Sequence, residues 1–132
     1  MLEGRPAGVT VHVIDNKIDH GDILYQEQVI YRPSDTSQEV YEYIQLCEEG
    51  ILLGHFDELS EQIVCFSPEA GGSFNTRKDF AERCEIDLSE YGTWEEHINT
   101  LRALTHGEYN NAYFVAPDGQ KVYLNLQLTP EE

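Results

Sequence analysis

Residues 8–24 read Gly8-Val9-Thr10-Val11-His12-Val13-Ile14-Asp15-Asn16-Lys17-Ile18-Asp19-His20-Gly21-Asp22-Ile23-Leu24. Val9 to Ile14 is a β-branched run with His12 in its middle, and Ile23 to Tyr31 is a second strand-like run. Between them Asp15–Asp22 concentrates three carboxylates and one imidazole. Strand, polar loop, strand is the first expectation, and loops held by rigid elements commonly carry function.

Downstream, Arg32-Pro33-Ser34-Asp35 breaks the pattern, and Thr36 followed by Glu39 forms a capping-box signature. The spacing predicts a helix over 36–59, with Val40, Tyr43, Ile44, Cys47, Ile51 and Leu52 on the face that packs on a sheet. Glu39, Glu42, Glu48 and Glu49 are expected to face water. Ile63 to Phe66 is a short apolar run. Ser67–Lys78, with Gly71-Gly72, is polar and predicts an extended, irregular connection that marks the internal boundary.

A second capping box, Thr93 with Glu96, opens a helix that carries Trp94, Ile98, Leu101 and Thr105 on one side, with Gly107 to end it. Asn111–Ala116 and Gln120–Leu128 are alternating runs joined by Pro117-Asp118-Gly119, a hairpin signal. The order is strand, strand, helix, irregular link, helix, hairpin, in the α/β class. Two strands and one long helix do not complete a doubly wound domain, which needs several parallel strands covered on both faces. An upstream part is therefore expected to be missing.

The 132 residues are 40% hydrophobic, enough for a buried core. No apolar run is long enough to span a bilayer, and the MLEGRPAG start lacks the pattern of a signal peptide. A soluble, cytoplasmic protein without a membrane partner is expected. Cys47, Cys65 and Cys84 are odd in number and contain no C-x-x-C pair, so they read as reduced thiols. The net charge of −17, shared by both halves, repels phosphate backbones and argues against direct nucleic-acid binding.

The loop does not fit a metal site. Lys17 takes the third position of the EF-hand pattern and Gly21 arrives one residue late, while His12 and His20 have no nearby Cys for zinc. The residues by themselves leave two readings open. One is a functional loop; the other is a polar turn in which Asp15 and Asn16 bond their own backbone and Gly21 supplies a positive φ. His55, His97 and His106 read as surface or helix-end residues. Trp94, Tyr109, Tyr113 and Tyr123 read as core or interface aromatics.

Gly8-Val9-Thr10-Val11-His12 followed by Ile18-Asp19-His20-Gly21-Asp22-Ile23-Leu24 and Gln26 resembles the G-V-T-x-H…(I/V)-D-x-G-x-I segment of the 10-formyltetrahydrofolate-dependent formyltransferases. Ile98–Thr105, Asn111-Ala112-Tyr113-Phe114 and Lys121-Val122-Tyr123 are similar to the tail of nucleotide-sugar and methionyl-tRNA-like members. The resemblance covers roughly residues 2–128. It implies that Asp19 is the catalytic aspartate and His12 the strand histidine close to the active site. It also implies that the bend of Val13, Ile14, Asp15, Ile18 and Asp19 reads the pterin of the folate donor. The family's Asn and His, in N-x-H order on the preceding strand, have no counterpart here.

The resemblance further implies three parts: residues 1–66 as the C-terminal segment of a Rossmann-like catalytic domain, 67–92 as an irregular linker, and 93–132 as a helix and β-hairpin subdomain. The parent chemistry is formyl transfer to an amine, with an amino sugar on a nucleotide favoured over methionyl-tRNA. Asp19 alone supplies no oxyanion donor, so the chain by itself is expected to be inactive. Expected partners are a second copy through the C-terminal hairpin, or a separate chain carrying the missing N-terminal half. The rival readings are a non-catalytic dimerisation or assembly module, a plain acidic domain, and a chain whose Met1 is not the true start.

Overall fold

The computed structural model describes residues 6–17, 21–61, 66–67 and 75–131. Strand β1 covers Ala7–His12 and β2 Ile23–Val29, and helix α1 runs over Ser37–Ser60. Helices α2 (Arg77–Cys84) and α3 (Trp94–Leu104) follow, then strands β3 (Ala112–Val115) and β4 (Lys121–Leu124). The described residues divide into two compact units. One comprises 31–40 and 75–131, the other 6–17, 21–30, 41–61 and 66–67.

In the second unit β1 and β2 pair antiparallel from Ala7↔Val29 to Val11↔Tyr25, after which His12 faces Ile23 and Leu24 is skipped. That bulge turns the end of β1, where His12 sits. Phe66 bridges Ile23 through reciprocal backbone bonds of 2.9 and 3.4 Å. Val9, Ile23, Val29 and Ile51 are buried. The expected helical face is only partly realised: Ile51 is 2% exposed, but Leu52 is 54% exposed and lies off the buried side. Helix α1 also departs from helical geometry at His55, where φ is −125° and ψ 16°. There the His55 ring lies 4.4 Å from the Tyr25 ring and Nδ1 is 3.1 Å from Glu58 Oε2.

In the first unit, the expected capping chemistry opens α1 and α3. Thr36 N–H donates to Glu39 Oε2 at 2.8 Å and the Thr36 hydroxyl donates to the same oxygen. Glu39 is thereby turned back over the helix start rather than out to water. At α3, Thr93 accepts from Glu96 N–H and Glu96 accepts from Thr93 N–H. Gly107 lies beyond the helix end with φ +53°, although the cap itself is Thr105, whose N–H donates to Leu101 O. Hairpin β3–β4 forms in the register Ala112↔Leu124 to Val115↔Lys121, with Gly119 at φ +84° in its turn. That conformation favours glycine.

The segment expected to be irregular contains α2. A third capping box starts it, with Thr76 accepting from Asp79 N–H at 3.1 Å and Asp79 Oδ2 accepting from Thr76 N–H at 2.6 Å. Asp replaces the Glu or Gln of the usual signature, and the helix has only eight residues, Arg77–Cys84. Its end packs Cys84 against Leu104 and Ala112, with Ile86, Leu101, Tyr113 and Leu124 around them. No helix among the described residues is long and apolar enough to cross a membrane.

Candidate functional site

The candidate site is built on the β1–β2 connection. At the end of β1, His12 is half-buried, and its Nδ1 lies 3.0 Å from the carbonyl oxygen of Val13. A carbonyl only accepts, so Nδ1 carries the proton in that contact. Val13 N–H donates to Asp22 O at 2.9 Å, which closes the neck of the loop. Beyond the neck, Ile14 is 90% exposed and Asp15 is exposed. Asp15 Oδ1 accepts from Lys17 N–H at 2.7 Å. This is an Asx-turn, the local bonding expected of Asp15 in the polar-turn reading.

A glycine makes the neck possible. A Cβ on Gly21 would lie 1.6 Å from Val13 O, so the strand ends approach more closely than any side chain permits. Gly21 is required by that approach and not by a positive φ, which among the described glycines belongs to Gly107 and Gly119. A Cβ on Gly8 would lie 2.7 Å from Glu27 O, across the sheet. On the far side of the loop, Asp22 Oδ1 accepts the Ser67 hydroxyl at 2.9 Å. The structure thus brings His12, Val13, Ile14 and Asp15 together at one end of the sheet. Ile18, Asp19 and His20, including the expected catalytic aspartate, lie outside the described residues.

Among the described residues no cluster of three or more His, Cys, Asp or Glu side chains could hold a metal ion. The described part of the loop places an exposed apolar side chain, Ile14, beside a neck whose backbone is fixed.

The residues that the sequence reading missed lie in the other unit. Arg102, on α3, is 7% exposed, with all three of its nitrogens engaged. Nε donates to Asp35 O at 2.9 Å, Nη2 to Arg32 O at 2.7 Å and Nη1 to Asn99 Oδ1 at 2.9 Å. Asp35, itself buried, accepts Arg32 N–H through Oδ2 at 2.6 Å. The Ser37 hydroxyl donates to Thr105 O at 2.7 Å. The signal for this network was Arg102 on a helix predicted to be amphipathic, where a lone cation gives no indication of its partners.

Residues 3–54 match the formyl transferase family, and residues 79–130 match the N-formyltransferase dimerization C-terminal domain. The chain is 38% identical over 133 aligned residues to the dTDP-4-amino-4,6-dideoxyglucose formyltransferase of Mycobacterium tuberculosis, covering 100% of this chain and 57% of that protein. A 4-N formyltransferase from Francisella tularensis superposes with a TM-score of 0.92 at 36% identity, over 98% of this chain and 54% of that one. A formyltransferase from Anoxybacillus kamchatkensis, in complex with UDP-4,6-dideoxy-4-formamido-L-AltNAc and tetrahydrofolate, matches at 27% identity and a TM-score of 0.59, over 76% of this chain and 52% of that one. The chain therefore spans little more than half the length of these relatives.

Proposed function

We propose, from the premise that both matched segments of this chain belong to the formyltransferase family, that it takes part in formyl transfer from 10-formyltetrahydrofolate to the amine of a nucleotide-linked amino sugar. The observation that carries the reading is the neck of the β1–β2 connection. Gly21 stands where a Cβ would collide with Val13 O, and the closure sets His12 at the root of the loop. Asp19 orients or accepts a proton from the attacking amine, and His12 helps to fix the strand end. Val13, Ile14, Asp15, Ile18 and Asp19 are the residues assigned to the pterin. The donor, when bound, supplies the electrophilic formyl carbon. An amino-sugar acceptor accords with the relatives above and with the −17 charge, which suits tRNA poorly.

The same reading assigns residues 1–66 to the catalytic part, 67–92 to a connection containing α2, and 93–132 to the subdomain through which two copies associate. Val115, Val122 and Tyr123 on the hairpin are 47, 39 and 47% exposed, which supports a homodimer through β3–β4.

The test is calorimetric titration of 5-formyltetrahydrofolate into the purified chain and its Asp19→Ala variant. Saturable micromolar binding that Asp19→Ala weakens at least tenfold is the expected result. Absence of binding at millimolar ligand overturns the assignment of the pterin loop.

A further inference from the structure

Ile23 and Phe66 are antiparallel partners, joined by Ile23 N–H to Phe66 O at 2.9 Å and by Phe66 N–H to Ile23 O at 3.4 Å. In an antiparallel pair the residue before one partner lies opposite the residue after the other, so Asp22 faces Ser67. Their side chains use that register: the Ser67 hydroxyl donates to Asp22 Oδ1 at 2.9 Å, across 45 positions of sequence. On its other flank Asp22 accepts Val13 N–H through its carbonyl at 2.9 Å. Asp22 is therefore held from two sides, by the end of β1 through main chain and by residue 67 through a side chain. It is also the residue on which the loop returns into β2, one position after Gly21 and three after Asp19. Ser67 falls in neither matched segment, since one stops at residue 54 and the other begins at 79. The division placed between residues 66 and 67 runs through this contact.

We propose that Ser67 and Asp22 are positioning residues of the β1–β2 loop: the Ser67 hydroxyl, through the Asp22 carboxylate, sets the limb by which the loop returns to the sheet and so tunes its hold on the folate donor. The inference rests on the formyl-transfer reading above. The 3.4 Å bond from Phe66 N–H is long for an N–H···O contact, so the side-chain bond supplies a grip that the backbone ladder lacks there. Magnitude decides what such a bond does. Both residues are exposed, and one net hydrogen bond shifts an equilibrium about fivefold. That is too little to decide whether the chain folds, and enough to decide how often a loop limb is in place. Ser67 acts through Asp22 and the main chain; it is assigned no chemistry of its own.

The test is calorimetric titration of 5-formyltetrahydrofolate into the full chain and its Ser67→Ala, Asp22→Ala, doubly substituted and Asp22→Asn variants. Each alanine is expected to weaken binding about fivefold. The double variant is expected to lose no more than either single one, because both remove the same bond. Asp22→Asn keeps a side-chain oxygen that accepts the hydroxyl and should bind within about twofold of the parent. A residue that only supported the fold would show its loss in thermal unfolding, and Ser67→Ala is expected to melt with the parent. Parent-like binding by Ser67→Ala overturns the proposal, as do losses that add in the double variant. Amide exchange at Ile23 and Phe66, which needs no ligand, is followed on the same samples. Exchange that quickens in Ser67→Ala while the parent fails to bind folate sinks the formyl-transfer reading and leaves the Ser67–Asp22 contact standing. Folate binding by the parent with exchange and affinity unchanged in Ser67→Ala does the reverse.

Discussion

The guanidinium of Arg102 donates to the main-chain carbonyl of Asp35 at 2.9 Å, from a side chain that is 7% exposed. With a further bond to Arg32 O, one α3 residue fixes the turn that leads into α1. That turn is otherwise held by Asp35 N–H donating to Arg32 O at 3.1 Å and by the Asp35 carboxylate accepting Arg32 N–H. Truncation to alanine leaves the buried Asp35 carbonyl and the Arg32 carbonyl without their charged donor, so Arg102→Ala is expected to cost about 3 kcal/mol. Arg102→Lys recovers only part of this, because one ammonium cannot span the three acceptors. Urea unfolding of the two variants provides the check; equal stability of Arg102→Ala and the parent would show that the network is incidental.

The glycines differ in what they are needed for. Gly21→Ala sets a Cβ 1.6 Å from backbone and should destabilise by about 3 kcal/mol, with Gly8→Ala, at 2.7 Å, next. Gly119 has open space around its Cβ position but φ +84°, so Gly119→Ala should cost about 1 kcal/mol. Thermal unfolding of the three variants tests that order, and a reversal of Gly21 and Gly119 contradicts the geometry.

Acid should reveal the caps. Hydrogen bonds from Thr36 hold the Glu39 carboxyl below its usual 4.5, and those from Thr93 do the same for Glu96. Because these folded-state values are depressed, the stability they contribute is fully present above the unfolded value and is lost as pH falls through the folded one. The loss therefore falls below about pH 4.5. Since acid also relieves repulsion in a chain of charge −17, the difference between variant and parent is the useful quantity. Thr36→Val and Thr93→Val should be less stable than the parent at neutral pH, and that gap should narrow in acid. A gap independent of pH would separate the hydroxyls from the carboxylates.

Cys84 is 7% exposed and burial pushes its thiol up. It should resist iodoacetamide at neutral pH in the native chain and react once urea is added. Mass mapping of the modified peptide decides this, and native alkylation of Cys84 would mean that the α2 packing opens readily.

Much of this protein was legible because its signals are local. β-branched runs gave β1 and β2, the Thr-x-x-Glu boxes placed the starts of α1 and α3, and Asp118-Gly119 placed the hairpin turn; each depends on backbone groups a few residues apart. The loop motif likewise marked the family, which the match over 3–54 bears out. Helix α2 escaped because an eight-residue helix opened by Thr76 and Asp79 has too few turns to show a period. Tertiary structure alone decided that Arg102 would bond across 67 residues to Asp35, and that Gly21 would meet Val13 O. It also left Leu46, Leu53 and Phe56 bare on α1. Sequence periodicity shows which residues share a face, but what covers that face depends on contacts between segments far apart in the chain.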